Sequence, residues 1–272
     1  MKQKLLNLGC GTNIHKDWVN IDIWSKDPSV IRHDLKNGIP FPDGKFDAVY
    51  HSHILEHFSK NDAVNFICEC SRVLKKGGII RVCVPDLEQI SKWYLSSLEN
   101  AIANKPLAKE NYEWMMLELL DQTTRTESGG EMAKFLQQPE LKNKDFIYQR
   151  VGDEARGIRE LYSKNKNSPS RSVGVYSYKI KDVLKKTLKY LLSNKTSQEI
   201  KIGRFRNNGE IHQWMYDRYS LAKILEEAGF HKIQQVTAVI SSVPSWKNYH
   251  LDASSSNKPK KPDSLYMEAV KK

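Results

Sequence analysis

The chain has 272 residues, of which 39% are hydrophobic and 28% charged, and it carries a formal charge of +11. No run approaches the roughly 20 apolar residues that span a bilayer, and the apolar stretch of MKQKLLNLGC is too short for a signal peptide. The four cysteines, Cys10, Cys68, Cys70 and Cys83, fall in strand, turn or helix patterns rather than a disulfide framework, which points to a reducing cytoplasm. The length fits one α/β domain with a large insertion, or two modest domains.

Strands are expected at 4–8, 19–23, 29–33, 46–51, 78–84, 231–240 and 264–271. The first, within LLNLGCGT (residues 5–12), feeds a Gly-x-Gly turn, where Gly9 and Gly11 let the backbone come close to a ligand. Asp22 closes the second apolar run and Asp34 the third; a doubly wound sheet presents such acids to ribose hydroxyls. Only a short turn separates Gly11 from the second strand, too short for a full helix. A helix is expected after the fourth strand, capped by Ser59 or Asn61, with Val64, Ile67, Ser71 and Leu74 on one face and Lys75-Lys76-Gly77 at its end. A second clear helix covers 219–228 and stops at Gly229. The last strand follows the sixth too closely for a helical crossover, so it should run antiparallel beside it. Residues 86–217 interrupt the sheet and read as mainly helical, best over 86–104, 110–138 and 177–193.

The ordered series LLNLGCGT, Asp22, Asp34, FPDGKFDAVYHSHILEH, RVLKKGGIIRVCVPD, YSLAKILEEAGF and SLYMEAVK resembles a class I S-adenosylmethionine-dependent methyltransferase. The likeness covers most of 1–85 and 218–272. It implies a Rossmann-like α/β sheet with an antiparallel last strand, and S-adenosyl-L-methionine as cofactor. It also implies a methyltransferase core split by a helical insertion at 86–217, which would serve as lid and acceptor site. Within the core it implies Gly9, Cys10 and Gly11 under the cofactor, Asp22 at the ribose, and Ile23, Asp34 and Leu35 around the adenine. His51 and Ser52 would border its methionine part. A nicotinamide dinucleotide site fits less well. Ile14 stands where that fingerprint needs a third small residue, and Asp22 arrives sooner than the usual spacing of about 20 residues.

His53, Glu56 and His57 also match the inverted zinc-peptidase pattern His-x-x-Glu-His. That pattern needs a long helix and a further carboxylate, whereas this segment directly follows a strand, so no metal is expected. His57 and His212 are the candidate catalytic bases, because histidine titrates near neutrality. Glu210, His212, Trp214 and Tyr216 alternate and would share one face of an extended segment, next to the acceptor. YQRVGDEARGIR, with Arg150, Gly152, Glu154 and Ala155, adds a second polar string. Together these strings resemble methyltransferases found among bacterial surface-polysaccharide enzymes. The likeness implies a glycan or activated-sugar acceptor and O-methylation of a sugar hydroxyl.

Charge is uneven. Residues 142–206 hold 17 Lys and Arg against 6 Asp and Glu, so the whole surplus lies there. Within 177–193, Ile180, Val183, Leu184, Leu188, Leu191 and Leu192 form an apolar stripe flanked by Lys181, Lys185, Lys186 and Lys189. Such a segment suits a phosphate-bearing or lipid-linked substrate, or peripheral contact with an anionic membrane at its cytoplasmic face. No aromatic-rich RNA-binding signature accompanies it, so nucleic acid is not expected. Two readings stay open beside the glycan one: methylation of RNA or another small molecule, and a non-catalytic cofactor-binding protein whose basic lid holds a partner.

Overall fold

The computed structural model describes residues 3–166 and 194–272. Seven strands form one sheet in the order β3-β2-β1-β4-β5-β7-β6. They are β1 (Leu5–Leu8), β2 (Trp18–Asp22), β3 (Val30–Arg32), β4 (Phe46–Ser52), β5 (Leu74–Pro85), β6 (Phe230–Val236) and β7 (Ser264–Lys271). The first five are parallel, and β7 lies antiparallel between β5 and β6. This is the Rossmann-like methyltransferase sheet that the sequence implied. Every residue of β1 is buried, as a central parallel strand requires.

Helix α1 (Lys60–Val73) returns from β4 to β5, and its cap is Ser59, whose Oγ accepts from the Asp62 N–H. Its buried face is Ala63, Phe66, Ile67, Cys70 and Val73. Of the expected stripe only Ile67 and Leu74 are fully buried; Val64 and Ser71 lie at its margin, because the face that meets the sheet is rotated by about one residue. The expected helix end at Lys75-Lys76-Gly77 is instead part of β5, entered through an irregularity opposite Phe46 and Ala48.

Among the described residues, six helices lie in sequence between β5 and the next core helix. They are α2 (Leu87–Ile102), α3 (Ala108–Thr124), α4 (Gly130–Leu136), α5 (Lys144–Val151), α6 (Asp153–Lys166) and α7 (Asn194–Arg206). The single helix expected over 110–138 is two: the first ends at Thr124, where Arg125 turns extended, and the second starts at Gly130 after Gly129 at positive φ. The expected basic helix at 177–193 lies outside the described residues. Helix α8 (Arg218–Glu227) starts on a capping box between Asp217 and Ser220.

One face of the sheet packs on α1 and α8 around Leu6, Leu8, Val49, Ile67, Val82 and Leu225. The opposite face has no helix after β1 to cover it. The chain between β6 and β7 does this instead, bringing Val243, Trp246 and Leu251 over Leu5, Trp18 and Tyr50. Helix α9 (Trp246–Tyr249) belongs to this cover. Beneath it Arg81 is fully buried, with Asp252 and Glu268 each 2.7 Å away. No helix among the described residues is long and apolar enough to cross a membrane.

Candidate active site

Register brings the site together. Leu8 pairs with Ile21 on one side and His51 on the other, so the ends of β1, β2 and β4 stand side by side. Strand order reverses there, at the carboxyl ends of the strands, where open α/β sheets form their ligand crevice.

At the end of β1, Gly9 has φ 61°, and a Cβ there would lie 2.0 Å from the Ile54 side chain. Only glycine fits. The Gly11 N–H donates to Asp22 Oδ2 at 2.9 Å, while Asp22 Oδ1 accepts from the N–H groups of Trp24 (2.7 Å) and Ser25 (2.9 Å). Asp22 thus closes its own loop and ties it to the glycine turn. Asp34 caps a short 3₁₀ turn, Leu35–Asn37, by accepting from the Lys36 N–H. Gly9, Asp22, Ile23, Asp34 and Leu35 line one cavity of about 500 Å³, with Asn207, Asn208 and Gly209 from the end of the insertion at its rim.

Four residues expected at this cavity do not line it: Gly11, which meets Asp22 through its N–H, and Cys10, His51 and Ser52. Cys10 is buried, its thiol pushed up to about 11 by burial first and by Asp22 second, so only its backbone belongs to the turn. His51 points from β4 into the core against Phe66, and burial holds its imidazole neutral, with the pKa down to about 3. Ser52, one residue on, faces the opposite side, in a smaller cavity of about 270 Å³ with Asn13, Lys260 and Lys261. Strand alternation puts His51 and Ser52 on opposite faces, so both cannot border one ligand.

Past β4, His53 turns at φ 55°, a left-handed conformation rare for histidine. Its Nε2 lies 2.8 Å from Ser264 Oγ and its Nδ1 3.3 Å from Glu56 Oε1. A second 3₁₀ turn, Leu55–His57, then places Glu56 and His57. Glu56 is fully buried, and neither carboxylate oxygen has a hydrogen-bond partner. Desolvation pushes its pKa up to about 8.

The Glu56 carbonyl accepts from the N–H groups of Gln213 (2.7 Å) and Trp214 (3.3 Å), drawing the returning chain against this turn. His212 arrives with it. Its ring stands 4.9 Å from that of His57, nearly perpendicular, and its Nε2 is 4.0 Å from Glu56 Oε1. Burial, then the neighbouring His57 and Arg125 charges, bring the His212 pKa down to about 2. Burial also lowers that of His57, against the opposing effect of the Ile211 carbonyl.

His57 and His53 line the first cavity and also a second one of about 390 Å³. The second is lined by apolar residues that include Met132, Leu136 and Ile158, and by Arg125, Glu210 and His212. Glu210 accepts from the Gly129 N–H at 2.9 Å and lies 3.5 Å from Arg125. Of the alternating set, then, Glu210 and His212 reach a cavity. Trp214 turns outward beneath Lys60, 5.2 Å from its ring, and Tyr216 enters the core. The segment is not a strand: two successive N–H groups bond to the one Glu56 carbonyl, and alternation is lost. Arg150 is likewise buried away from the cavity. It is held by Glu118 and Gln89 and stands over Trp93, bracing α5 against α2 and α3. Its string does reach the cavity, through Glu154 and Ala155. Lys261 and Asp263, on the approach to β7, complete the wall, and nothing in the sequence pattern singled them out.

Residues 6–82, which include the glycine turn, Asp22 and the His53–His57 segment, match the sequence model of the family described as Methyltransferase domain. Residues 6–82 thus belong to an S-adenosylmethionine-dependent methyltransferase domain. Among solved structures, the chain is similar to an S-adenosylmethionine-dependent methyltransferase from Mesorhizobium loti, at 12% identity and TM-score 0.40, covering 99% of this chain and 91% of that one. A possible histamine N-methyltransferase from Thermotoga maritima is similar at 12% identity and TM-score 0.39, covering 100% and 84%. The 4+2 cyclase SpnF shares 25% identity over 30% of this methyltransferase and 38% of its own length, at TM-score 0.25. These likenesses are remote and carry no information on the acceptor. No curated protein matches the chain in sequence.

Proposed function

We propose that this methyltransferase O-methylates a sugar hydroxyl, on a glycan or on its nucleotide- or lipid-linked precursor. The observation that carries the proposal is the wall of His53 and His57 common to the two cavities. A donor in the first and an acceptor in the second would meet there.

The residues of the first cavity fit the donor. Gly9, whose missing Cβ makes room for Ile54, lines the cavity beside that side chain. Ile23 and Leu35 offer apolar walls to a purine, and Asp22 and Asp34 offer carboxylate oxygens to hydroxyl and amine donors. When bound, S-adenosylmethionine supplies a methyl group on a sulfonium, which an oxygen can attack in line. The chain's part is placement. The second cavity is lined by apolar Met132, Leu136 and Ile158 together with Arg125, Glu210 and His212, a mixture that suits a sugar ring, with one less polar face and a rim of hydroxyls. His57 and His212 stand at the junction, where the hydroxyl's proton has to leave.

Asp22→Ala should weaken S-adenosylhomocysteine binding by about 1–3 kcal/mol, because it removes the acceptor for three backbone N–H groups as well as the ribose contact. Titration calorimetry reads this directly, and unchanged affinity would remove Asp22 from the site. Supplying labelled methyl donor with nucleotide sugars, lipid-linked glycans and RNA tests the acceptor. Label entering RNA alone overturns the sugar reading.

The basic surplus of 142–206 supports an anionic acceptor or an anionic surface. Neutralising Lys181, Lys185, Lys186 and Lys189, which lie outside the described residues, should raise acceptor KM or weaken binding to anionic vesicles. Salt should act in the same direction, since exposed charges are screened over about 8–10 Å. Indifference of both readouts to salt and to these lysines would reduce the surplus to a solvated face.

A further inference from the structure

We propose that Glu56, His57 and His212 form a binding site for one divalent transition-metal ion of the zinc type, at the junction of the two cavities. The inference rests on the methyltransferase reading only for what the metal would do, not for whether it binds. It reverses the sequence expectation of no metal, which considered His53, Glu56 and His57 alone. His212 lies 155 residues beyond His57, and only the fold brings it in.

Among the described residues, these three offer ligand atoms that all lie within 4.8 Å of one another. Bond lengths of about 2.0–2.2 Å put the ligand atoms of a tetrahedral site about 3.3–3.6 Å apart, so small side-chain rotations close the set. Two imidazoles and one carboxylate are a donor set that zinc and its neighbours favour over magnesium or calcium.

Glu56 supplies the second, independent observation. Its side chain is fully buried with neither oxygen hydrogen-bonded; Oε1 lies 3.3 Å from His53 Nδ1 and 4.0 Å from His212 Nε2, and the ligand atoms of His57 and His212 stand within 4.8 Å. A buried carboxyl without a hydrogen bond is costly in either protonation state, and a cation between these three groups would satisfy it. His57 is already oriented as a ligand: its Nδ1 stands 3.1 Å from the Ile211 carbonyl, to which it donates, leaving the Nε2 lone pair for the metal. That contact to a backbone carbonyl is the usual outer support of a metal-bound histidine. His53, at positive φ and 3.3 Å from Glu56 Oε1, serves as a positioning residue for the carboxylate. Of the cations on this cavity wall, Arg125 is held by Asp121 at 2.9 Å, and Lys261 lies 4.0 Å from Glu154.

Three protein ligands leave coordination open, as in catalytic rather than structural zinc sites. His57 and His212 line the second cavity, so the open position is reached from the acceptor side. An acceptor hydroxyl bound there would lose its proton to water more readily, and its oxygen lone pair would form the new C–O bond as the donor's S–CH₃ bond breaks.

The test uses untagged, chelator-treated protein titrated with Co²⁺, followed by visible absorption. Absorption should saturate at one ion per chain and be displaced by Zn²⁺. Glu56→Gln and His212→Gln should each weaken Co²⁺ binding at least tenfold while keeping the wild-type melting profile, whereas the surface variant His250→Gln should bind as wild type does. No saturable absorption at one equivalent, or Glu56→Gln and His212→Gln variants that bind as tightly as wild type, overturns the proposal. Should the variants fail to fold, the wild-type titration alone decides. Because the readout needs neither donor nor acceptor, its failure is distinct from failure of the sugar reading.

Discussion

His212→Ala is expected to lower kcat by about 10²–10⁴ while S-adenosylhomocysteine affinity stays within about threefold of wild type. The split follows from placement. His212 lines only the second cavity, whereas Gly9, Asp22 and Asp34 line the first. His57→Ala should lose as much turnover, and should also disturb donor binding, since His57 lines both cavities. Single-turnover measurement with saturating acceptor separates these effects. If His212→Ala and His57→Ala both keep near-normal turnover, methyl transfer here needs neither histidine as a base nor a metal held by the two, and positioning alone must suffice. A loss in KM with kcat preserved would make His212 a mere contact to the acceptor.

The residues that line the first cavity were legible in part because their signals are local. Gly9, Gly11 and Asp22 sit within 14 residues, and the physical needs they meet, a positive φ, a close approach and an acceptor for loop N–H groups, belong to those residue types. The antiparallel last strand was legible for the same reason, from the short stretch before Ser264. The acceptor side was not. Arg150 looked like a binding residue until Glu118, 32 positions away, was found to hold it. Trp214 and Tyr216 were placed by assuming an extended segment, which the doubly used Glu56 carbonyl bends out of register. His51 and Ser52 were expected together, although alternation in β4 divides them. The cover of the sheet's second face by Trp246 and its neighbours has no local signature at all, because those residues only replace a helix missing some 230 positions earlier.

That substitute cover gives the largest stability prediction. Arg81 spends its donors on Asp252 Oδ2, Glu268 Oε1 and the carbonyls of Thr237 and Ile240, at 2.7–3.0 Å, and its guanidinium lies 4.2 Å from the Trp246 ring centroid. It therefore pins the 237–252 chain to β5 and β7. Arg81→Met keeps much of the volume but strands two carboxylates in the interior, which should cost about 3–5 kcal/mol. For a chain of this length that corresponds to a fall in Tm of about 5–10 °C. The deficit should depend on pH. Burial already raises the Asp252 pKa above the ordinary carboxylate range, against the opposing pull of Arg81. Without the arginine it rises further, so the native state of the variant holds protons that the unfolded chain has released. Stability of the variant relative to wild type should then recover as pH falls towards the unfolded carboxylate range near about 4, and be poorest above neutrality. Adding Asp252→Asn and Glu268→Gln to Arg81→Met should restore part of the loss at pH 8 and little at pH 5. A single variant that melts within about 2 °C of wild type at pH 8, or a deficit that grows on acidification, would show that Arg81 does not hold this cover in place.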